Sequence, residues 1–225
     1  MSIVANTEQV YERASCIIFR KTSEPYGGLS NMAGGFPLVV NGIAIRTSEA
    51  LYQACRYPHL PDIQRQIIAQ ASPMTAKLVS RRYTAETRPD WDAVRVDIMR
   101  WCLRVKLVQN WDVFSALLLS TDMQPIVEES RRDAFWGARP AMPDTLVGAN
   151  ALGRLLTELR ASVRSGTVSA SIAVAPLAIP QFALIGQPIL PVIWDHGQDS
   201  ATAPDETKGS PVQLSLFGDE RSQPL

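Results

Sequence analysis

Three amphipathic stretches between Asp92 and Arg164 constrain the fold of this chain most strongly, because their apolar residues recur at helical spacing. The longest begins near Asp92 and carries its apolar side chains at Val94, Ile98, Trp101, Cys102, Val105 and Val108. A second begins at Asn110 or Asp112, with Phe114, Leu117 and Leu118 facing inward. The third runs from Asn150 to Arg164, and Gly166 is its natural stop. Stripes of this kind predict helices packed around a shared apolar core.

Short β-strands are predicted around this helical core. Cys16–Phe19 forms the first apolar run, and Ile126-Val127 forms a late one. Between them, Leu38–Val40 and Ile43–Ile45 flank Asn41-Gly42. Asn-Gly between two apolar runs is a strong hairpin signal, because both residues tolerate positive φ.

The remaining helices are predicted from capping residues. Thr47-Ser48 caps a helix from Glu49 to about Tyr57, where prolines follow. Asp62 opens the next helix, and Ser72-Pro73 pairs a cap with proline at the first helical position.

Composition narrows the biochemical class. The 225 residues fit one domain with an appendage, or two small domains, and the formal net charge is zero. Cys16, Cys55 and Cys102 are scattered and only His59 and His196 accompany them, so we expect no metal site and no cofactor. The N-terminal residues carry charges and lack a long apolar run, which predicts no signal peptide and a cytoplasmic protein.

The composition changes after the last predicted helix. From Ser165 to Trp194 there is no charged residue, but four prolines exclude a membrane-spanning helix. We expect extended segments packed on the domain or on a partner. The remaining residues are polar and rich in Gly and Pro, which predicts disorder.

A first polar cluster combines Glu49, Gln53 and Arg56, which share one helical face at i, i+4 and i+7. A carboxylate in the first turn also lies in the positive field of the helix N-terminus. The alternative is an ordinary solvated helix face.

A second cluster runs from Glu128-Glu129-Ser130 to Asp133-Ala-Phe-Trp-Gly137. Acidic residues beside Trp136 and Gly137 suit a sugar or nucleotide pocket, since the ring offers a stacking surface and the glycine allows close backbone approach. The alternative is an acidic surface loop with a buried tryptophan.

A third cluster, Gly148-Ala-Asn150-Ala-Leu-Gly153, opens the last predicted helix. Free N–H groups at helix N-termini bind anions, so a diphosphate is a candidate ligand. The alternative is an asparagine cap with glycines for close packing.

Basic residues exceed acidic ones between Lys77 and Lys106. Eight Lys and Arg residues face four Asp and Glu residues, so the segment is net positive by four. Such an excess suits a polyanionic substrate such as DNA. The alternative is an ordinary solvated helix face.

Six motifs in a fixed order resemble the NADAR (YbiA-like) family over about residues 16 to 164. They are Tyr26-Gly-Gly-Leu-Ser-Asn31, Thr47-Ser-Glu-Ala-Leu-Tyr-Gln53-Ala, Ser72-Pro-Met-Thr-Ala-Lys77, Trp91 ahead of a long methionine-containing helix with Lys106, Asp133-Ala-Phe-Trp-Gly137, and Gly148-x-Asn150-x-Leu-Gly153 with Leu156 and Arg160.

The resemblance implies an α+β fold, a compact and mainly helical domain with a small β-sheet. It also implies N-glycosidase or ADP-ribosyl-hydrolase activity without a required metal. Some members are linked to removal of riboflavin-pathway intermediates, and others resemble antitoxins that remove ADP-ribose from guanine in DNA. With this boundary, the chain divides into a catalytic domain (1–165), an uncharged extension (166–195) and a tail (196–225).

Four positions depart from the family pattern. The family usually has aromatic residues in place of Leu29 and Met32, Lys in place of Arg56, and Gly in place of Ser80. The approach to the last motif, residues 139–147, also differs. Substrate identity is therefore less constrained than the reaction type.

Hydrolysis of a ribosyl N-glycoside needs a carboxylate near the anomeric carbon and a proton donor for the leaving base. We predict Glu49 as the central carboxylate, with Asp133 or Glu128 as the second acid/base group. The predicted substrate-binding residues are Asn31, Gln53, Arg56, Lys77, Trp91, Trp136, Gly137, Gly148 and Asn150.

Three functions follow as alternatives. The first is an ADP-ribosyl hydrolase acting on modified nucleic acid, and the second is an N-glycosidase acting on small ribosyl-amine nucleotides. The third is a non-catalytic ADP-ribose-binding module, which the acidic positions disfavour.

The tail contains a possible docking motif, Gln213-Leu214-Ser215-Leu216-Phe217. It resembles the pentapeptide with which bacterial proteins bind the DNA sliding clamp. A few apolar anchors in a polar tail suit a short groove, with Gln213 as a polar contact. The alternative is that the segment packs on its own domain, or that the match is a coincidence.

Overall fold

The structure is a computed structural model that describes residues 7–193, and this part of the chain has an α+β fold. Its α-helices are α1 Ser48–Ala54, α2 Pro61–Ile68, α3 Pro73–Arg82, α4 Trp91–Gln109, α5 Trp111–Leu119 and α6 Ala151–Arg164. Its strands are β1 Gln9–Glu12, β2 Ile17–Phe19, β3 Leu38–Val40, β4 Ile43–Ile45, β5 Ile126–Glu128, β6 Arg139–Met142, β7 Thr145–Gly148, β8 Ala183–Leu184 and β9 Gln187–Pro188.

The strands form small separate sheets. The largest has the order β1-β7-β6 and is antiparallel, whereas β2 and β5 pair in parallel. β3 and β4 form the predicted hairpin, with Val40 opposite Ile43. Its turn residues Asn41 and Gly42 both have left-handed backbone geometry, with φ values of 51° and 75°.

The long helix α4 lies at the centre of the core and contacts α1, α5, α6 and β3. Its predicted stripe is buried, and Trp101 and Cys102 are almost inaccessible to solvent. The helical periodicity therefore identified the core correctly. None of the helices described for residues 7–193 is long and apolar enough to cross a membrane.

The caps predicted at Thr47 and Ser72 are confirmed, whereas α2 begins at Pro61 instead of Asp62 and has no side-chain cap. Thr47 Oγ1 accepts a hydrogen bond from Ala50 N, and Ser72 and Thr75 form a reciprocal capping box. Helix α1 ends at Ala54 instead of Tyr57. Pro58 directly follows Tyr57, and a residue that precedes proline disfavours helical backbone.

The uncharged extension packs against the same core as the helices. Six of its side chains are buried there, namely Val168, Val174, Phe182, Leu184, Ile189 and Val192. Trp101 Nε1 donates to Ala175 O at 3.0 Å, and the rings of Trp101 and Phe182 meet edge to face. Gln64 donates to Ala183 O and accepts from Ile185 N. Buried side chains on α2 and α4 thus replace the backbone partners that this irregular segment lacks.

Candidate active site

A cleft of about 660 Å³ opens between α1, α3, the segment joining α3 to α4, and the loop after β5. Most of the polar residues singled out in the sequence line it, namely Asn31, Glu49, Gln53, Arg56, Lys77, Trp91, Glu128, Asp133 and Trp136. These residues come from five separate parts of the chain and meet only through the fold. Concave sites with convergent polar groups are the usual location of binding and catalysis.

Glu49 lies buried in the first turn of α1, and donors surround its carboxylate. Asn31 Nδ2 donates to Oε2 and Gln53 Nε2 donates to Oε1, each at 2.9 Å. Lys77 Nζ lies 3.9 Å from Oε1. The two hydrogen bonds fix the orientation of the Glu49 carboxyl group in the cleft.

The residues that hold Glu49 are themselves fixed. Ser80, which stands where the family usually has glycine, donates its hydroxyl hydrogen to Gln53 Oε1 at 2.6 Å. Tyr57 donates to the Ser80 carbonyl at 2.6 Å. The chain Ser80–Gln53–Glu49 therefore sets the orientation of the Gln53 amide.

Lys106 supports the loop that carries Asn31. Its ammonium donates to Gly28 O at 2.6 Å and to Ser30 O at 3.1 Å, and it lies between the rings of Phe36 and Phe114. Full burial lowers the pKa of Lys106 to about 7. The burial of Lys106 could not be predicted from the sequence, because lysines in helices usually lie at the surface.

Glu128 has a very different environment at the end of β5. No hydrogen bond to its carboxyl group is made by the residues that the structure describes. Burial, together with the smaller effects of the neighbouring charges of Asp133 and Glu49, raises the pKa of Glu128 to about 7 against an opposing effect of Lys77. At pH 7 about half of the Glu128 carboxyl groups therefore hold a proton that they can donate.

Asp133 shapes the loop after β5. Its Oδ1 accepts hydrogen bonds from Phe135 N at 3.0 Å and Trp136 N at 2.9 Å. The ring of Trp136 meets Tyr52 edge to face at 5.6 Å, and Tyr52 packs on Trp91 at 5.0 Å. The result is a row of three aromatic rings along one side of the cleft, suited to an aromatic base.

In contrast to the aromatic side, another part of the cleft lining is positively charged. Five cationic side chains line it: Arg56, Lys77, Arg81, Arg88 and Arg95. Arg56 stacks on Trp91 and Arg95 on Phe135. Buried guanidinium nitrogens without a hydrogen-bond partner in the described structure are Arg56 Nε, Arg88 Nη1 and Arg95 Nε. This cluster can receive an anionic ligand with more than one negative charge.

Three predicted substrate-binding residues lie outside the cleft: Gly137, Gly148 and Asn150. The buried Asn150 side chain donates to Ile126 O and accepts from Glu128 N, so it positions β5 instead of a ligand. Side chains at the two glycines would collide with backbone carbonyls, those of Glu128 and Gly137 respectively. Their role is close backbone packing.

The N-terminus of α6 is not the predicted diphosphate site. Ala151 N donates to Phe135 O at 2.9 Å and Leu152 N donates to Trp136 O at 3.0 Å. These N–H groups, which would bind an anion, are already used by the loop that carries Trp136. The helix therefore fixes a wall of the cleft.

The basic segment is likewise not one surface. Lys106 and Arg88 are buried, whereas Arg100 pairs with Asp97 and Glu158 at the surface. Only part of the excess charge, from Lys77, Arg81, Arg88 and Arg95, lines the cleft. Among residues 7–193, no group of three His, Cys, Asp or Glu side chains is arranged to hold a metal ion.

Comparison with known proteins agrees with this fold. The model of the NADAR domain matches residues 18–164. N-glycosidase YbiA of Escherichia coli is 35% identical over 161 residues, which cover 71% of this chain and 96% of the relative. An N-glycosidase of Nostoc punctiforme is 33% identical over 156 residues, covering 66% and 93% of the two chains.

Two further likenesses concern pathway and structure. A riboflavin biosynthesis protein of Vibrio vulnificus is 31% identical over 180 residues, covering 79% of this chain but 44% of that longer protein. The NMR structure of E. coli YbiA superimposes with a TM-score of 0.57 at 31% identity, covering 69% of this chain and 92% of YbiA.

Fold and relatives together define an enzyme that hydrolyses an N-glycosidic bond. The chain belongs to the NADAR family.

Proposed function

We propose that this enzyme removes ADP-ribose from a modified base, with guanine in DNA as its substrate. The observation that carries the proposal is the number of cations in the cleft. Five cationic side chains line a cleft with two acidic groups suited to catalysis. A single phosphate is neutralised by one or two such groups, whereas the diphosphate of ADP-ribose and a DNA backbone require more.

The two glutamates divide the acid and base work of the reaction. The Glu128 carboxyl group donates its proton to the leaving base nitrogen as the bond from that nitrogen to the anomeric carbon breaks. Glu49 stabilises the positive charge that develops on the ribose and accepts a proton from the attacking water, whose oxygen bonds to the anomeric carbon. The products are ADP-ribose, with a hydroxyl group on its anomeric carbon, and the unmodified base, and the two carboxyl groups then exchange protons with solvent.

The remaining predicted residues act on binding. Trp136 and Trp91 provide the aromatic side of the cleft for the base, and Arg56 and Lys77 attract the phosphates. Asn31 and Gln53 act through Glu49, to which both donate. With this chemistry the enzyme would reverse a DNA ADP-ribosyltransferase toxin, as an antitoxin does.

A small-molecule substrate is the competing proposal, and the Vibrio vulnificus relative named for riboflavin biosynthesis favours it. A ribosyl-amine nucleotide of that pathway has the same type of scissile bond. A third possibility, a module that only binds ADP-ribose, is disfavoured because Glu49 and Asp133 line the cleft and place negative charge beside an anionic ligand.

The experiment compares the two substrate classes directly. The protein is incubated with an oligodeoxynucleotide bearing ADP-ribosylated guanine and, separately, with a phosphorylated ribosylaminopyrimidine, and products are identified by mass. We expect release of ADP-ribose and restoration of guanine, at a rate at least about tenfold higher than cleavage of the small substrate. The Glu49→Gln variant is the control for contaminating hydrolases. Cleavage of the small substrate alone would overturn the DNA proposal.

We also propose that the tail docks on the bacterial DNA sliding clamp through Gln213, Leu214, Leu216 and Phe217, which lie outside the described residues. The supporting observation is the Gln-Leu-Ser-Leu-Phe sequence itself. Such docking would bring the enzyme to replicating or repaired DNA. The affinity should be micromolar, because the interface is small and the peptide must become ordered.

A synthetic peptide of residues 209–222 tests this partner. It should bind purified clamp, and the Leu216→Ala/Phe217→Ala peptide should not. Equal binding by both peptides, or by neither, would exclude clamp docking.

A further inference from the structure

The link between α3 and α4 contains a buried arginine with incomplete pairing. Arg88 lines the cleft and is 3% exposed. Its Nε and Nη2 bind the two Asp90 carboxylate oxygens at 2.6 Å and 2.9 Å, whereas Nη1 has no hydrogen-bond partner in the described part of the chain. A buried guanidinium N–H without a partner is costly, so a ligand that supplies an acceptor there gains affinity.

The uncharged extension holds this arginine in place. Pro180 O accepts a hydrogen bond from Arg88 Nη2 at 2.7 Å, a separation of 92 residues along the chain. The carbonyl is presented by a turn in which the next residue, Gln181, has a left-handed backbone with φ of 49°. Phe182 and Leu184 then anchor the turn in the core. The direction of the guanidinium therefore depends on Asp90 and on the extension together.

Arg88 also connects with other parts of the cleft wall. Its backbone N–H donates to Arg56 O at 3.0 Å, and its carbonyl accepts from Trp91 N at 3.1 Å. Arg56 itself stacks on Trp91 and lines the cleft. A shift of Arg88 would thus move a second cation and an aromatic ring.

The extension follows the family domain instead of belonging to it. The family match ends at residue 164. The 161 aligned residues already account for 96% of E. coli YbiA, so that relative has almost no chain left over for a comparable segment. Contacts made by the extension are therefore a candidate source of specificity that differs between relatives.

We propose that the Pro180 turn of the extension positions Arg88 to bind an anionic group of the substrate, which makes Arg88 a specificity-determining residue. The inference rests on the proposed function only in taking the substrate to carry phosphate. The inference gives residues 178–182, which lie outside the family domain, a role in substrate binding that is separate from the work of the catalytic carboxyl groups.

Two substitutions separate binding from folding. Arg88→Gln removes the cation, and Arg82→Gln is its matched charge control, because Arg82 is exposed and does not line the cleft. Gln181→Val disturbs the turn from outside the core, since β-branched residues strongly disfavour positive φ. Gln181→Gly is its control, because glycine adopts the same backbone without strain.

The measurement is calorimetric binding of inorganic pyrophosphate and of ribose 5-phosphate to the full chain, with thermal unfolding as a check on folding. We expect Arg88→Gln to raise Kd about tenfold or more, as expected for loss of a charge-assisted hydrogen bond. Gln181→Val should raise Kd about threefold or more, and both controls should stay within about twofold of wild type. Because the turn acts through Arg88, the double variant should bind no more weakly than Arg88→Gln alone.

Several results would overturn the inference. Wild-type protein that binds neither anion, or Arg88→Gln that binds as tightly as Arg82→Gln, would exclude Arg88 as an anion ligand. Additive effects in the double variant, or equal binding by the two Gln181 variants, would exclude the Pro180 turn as its positioning element. Since no turnover is measured, these results remain separate from whether ADP-ribosylated DNA is the substrate.

Discussion

Glu49 and Glu128 are identical in chemistry and line one cleft, but α1 and β5 give them different surroundings. The Glu49 carboxylate accepts hydrogen bonds from Asn31 and Gln53 and lies near Lys77. The Glu128 carboxyl group is partly exposed to the cleft beside two other acidic side chains, and its pKa rises to about 7. The contrast shows how one cleft can hold one carboxyl group among hydrogen-bond donors and prepare another as a proton donor.

The largest loss of activity is expected from Glu49→Gln. It preserves the shape of the side chain and removes its charge, so the fold should survive while kcat falls about 10³-fold, within the range for an acid/base group. Steady-state kinetics on the substrate, with exposed Glu86→Gln as the matched control, measure this effect. Activity within a few-fold of wild type would remove Glu49 from the mechanism.

The next largest effect is expected from Glu128→Gln, which should lower kcat about 10²-fold. In the wild type, activity should fall as pH rises through about 7, because Glu128 loses the proton it donates. The variant should lack this alkaline limb. A pH–rate profile of Glu128→Gln that keeps the same limb would assign it to another group.

The same substitution has a consequence for stability. The folded-state pKa of Glu128 is raised from 4.5 to about 7, so its contribution to the free energy of unfolding is present below pH 4.5 and is lost as pH rises to about 7. Glu128→Gln removes the titrating group and therefore this pH-dependent loss of unfolding free energy. Urea unfolding at pH 5 and pH 8 should therefore show a smaller decrease for the variant than for wild type.

Asp133→Asn should have a smaller effect, which is a shift of the alkaline limb of the pH–rate profile. Asparagine retains an oxygen that accepts from the backbone N–H groups of residues 135 and 136, but it removes a charge that raises the pKa of Glu128. The alkaline limb should move to lower pH, with several-fold less activity at pH 7. An unchanged limb would mean that burial alone controls the Glu128 proton.

The smallest effect is expected on the Glu49 side, from Ser80→Ala. Loss of the hydroxyl bond to Gln53 should lower kcat/KM about twofold to fivefold and destabilise the fold by about 1 kcal/mol. Ser80→Thr, which retains a hydroxyl, is the control for the bond. Equal activity in the alanine variant and the wild type would show that Gln53 is oriented by Glu49 alone.

Local signals in the sequence predicted much of the fold and of the site. The spacing of Glu49 and Gln53 placed them on one helical face, and their side chains are hydrogen-bonded. Asn41-Gly42 predicted its hairpin because a two-residue turn is a local property. The aromatic–acidic sequence Asp133–Trp136 predicted a pocket wall, and the structure places that segment at the cleft.

Features that depend on distant partners were not predictable. The sheet β1-β7-β6 was missed because β6 is exposed along its whole length and has no alternating pattern. Asn150 resembled a ligand contact because nothing local shows that its amide binds the backbone of β5, more than 20 residues earlier. The protonated state of Glu128 likewise depends on the burial that only tertiary packing creates.

The burial of Val168, Phe182 and Ile189 in the core makes the family boundary different from the cooperative folding unit. A fragment ending at residue 164 would contain every catalytic side chain but would expose the apolar surface that these residues cover. Thermal unfolding of the full chain should then show one transition in which β8 and β9 unfold together with α4. In this protein the family match covers the residues that carry the chemistry, whereas the folding unit continues beyond it by about one fifth of the length of the family domain.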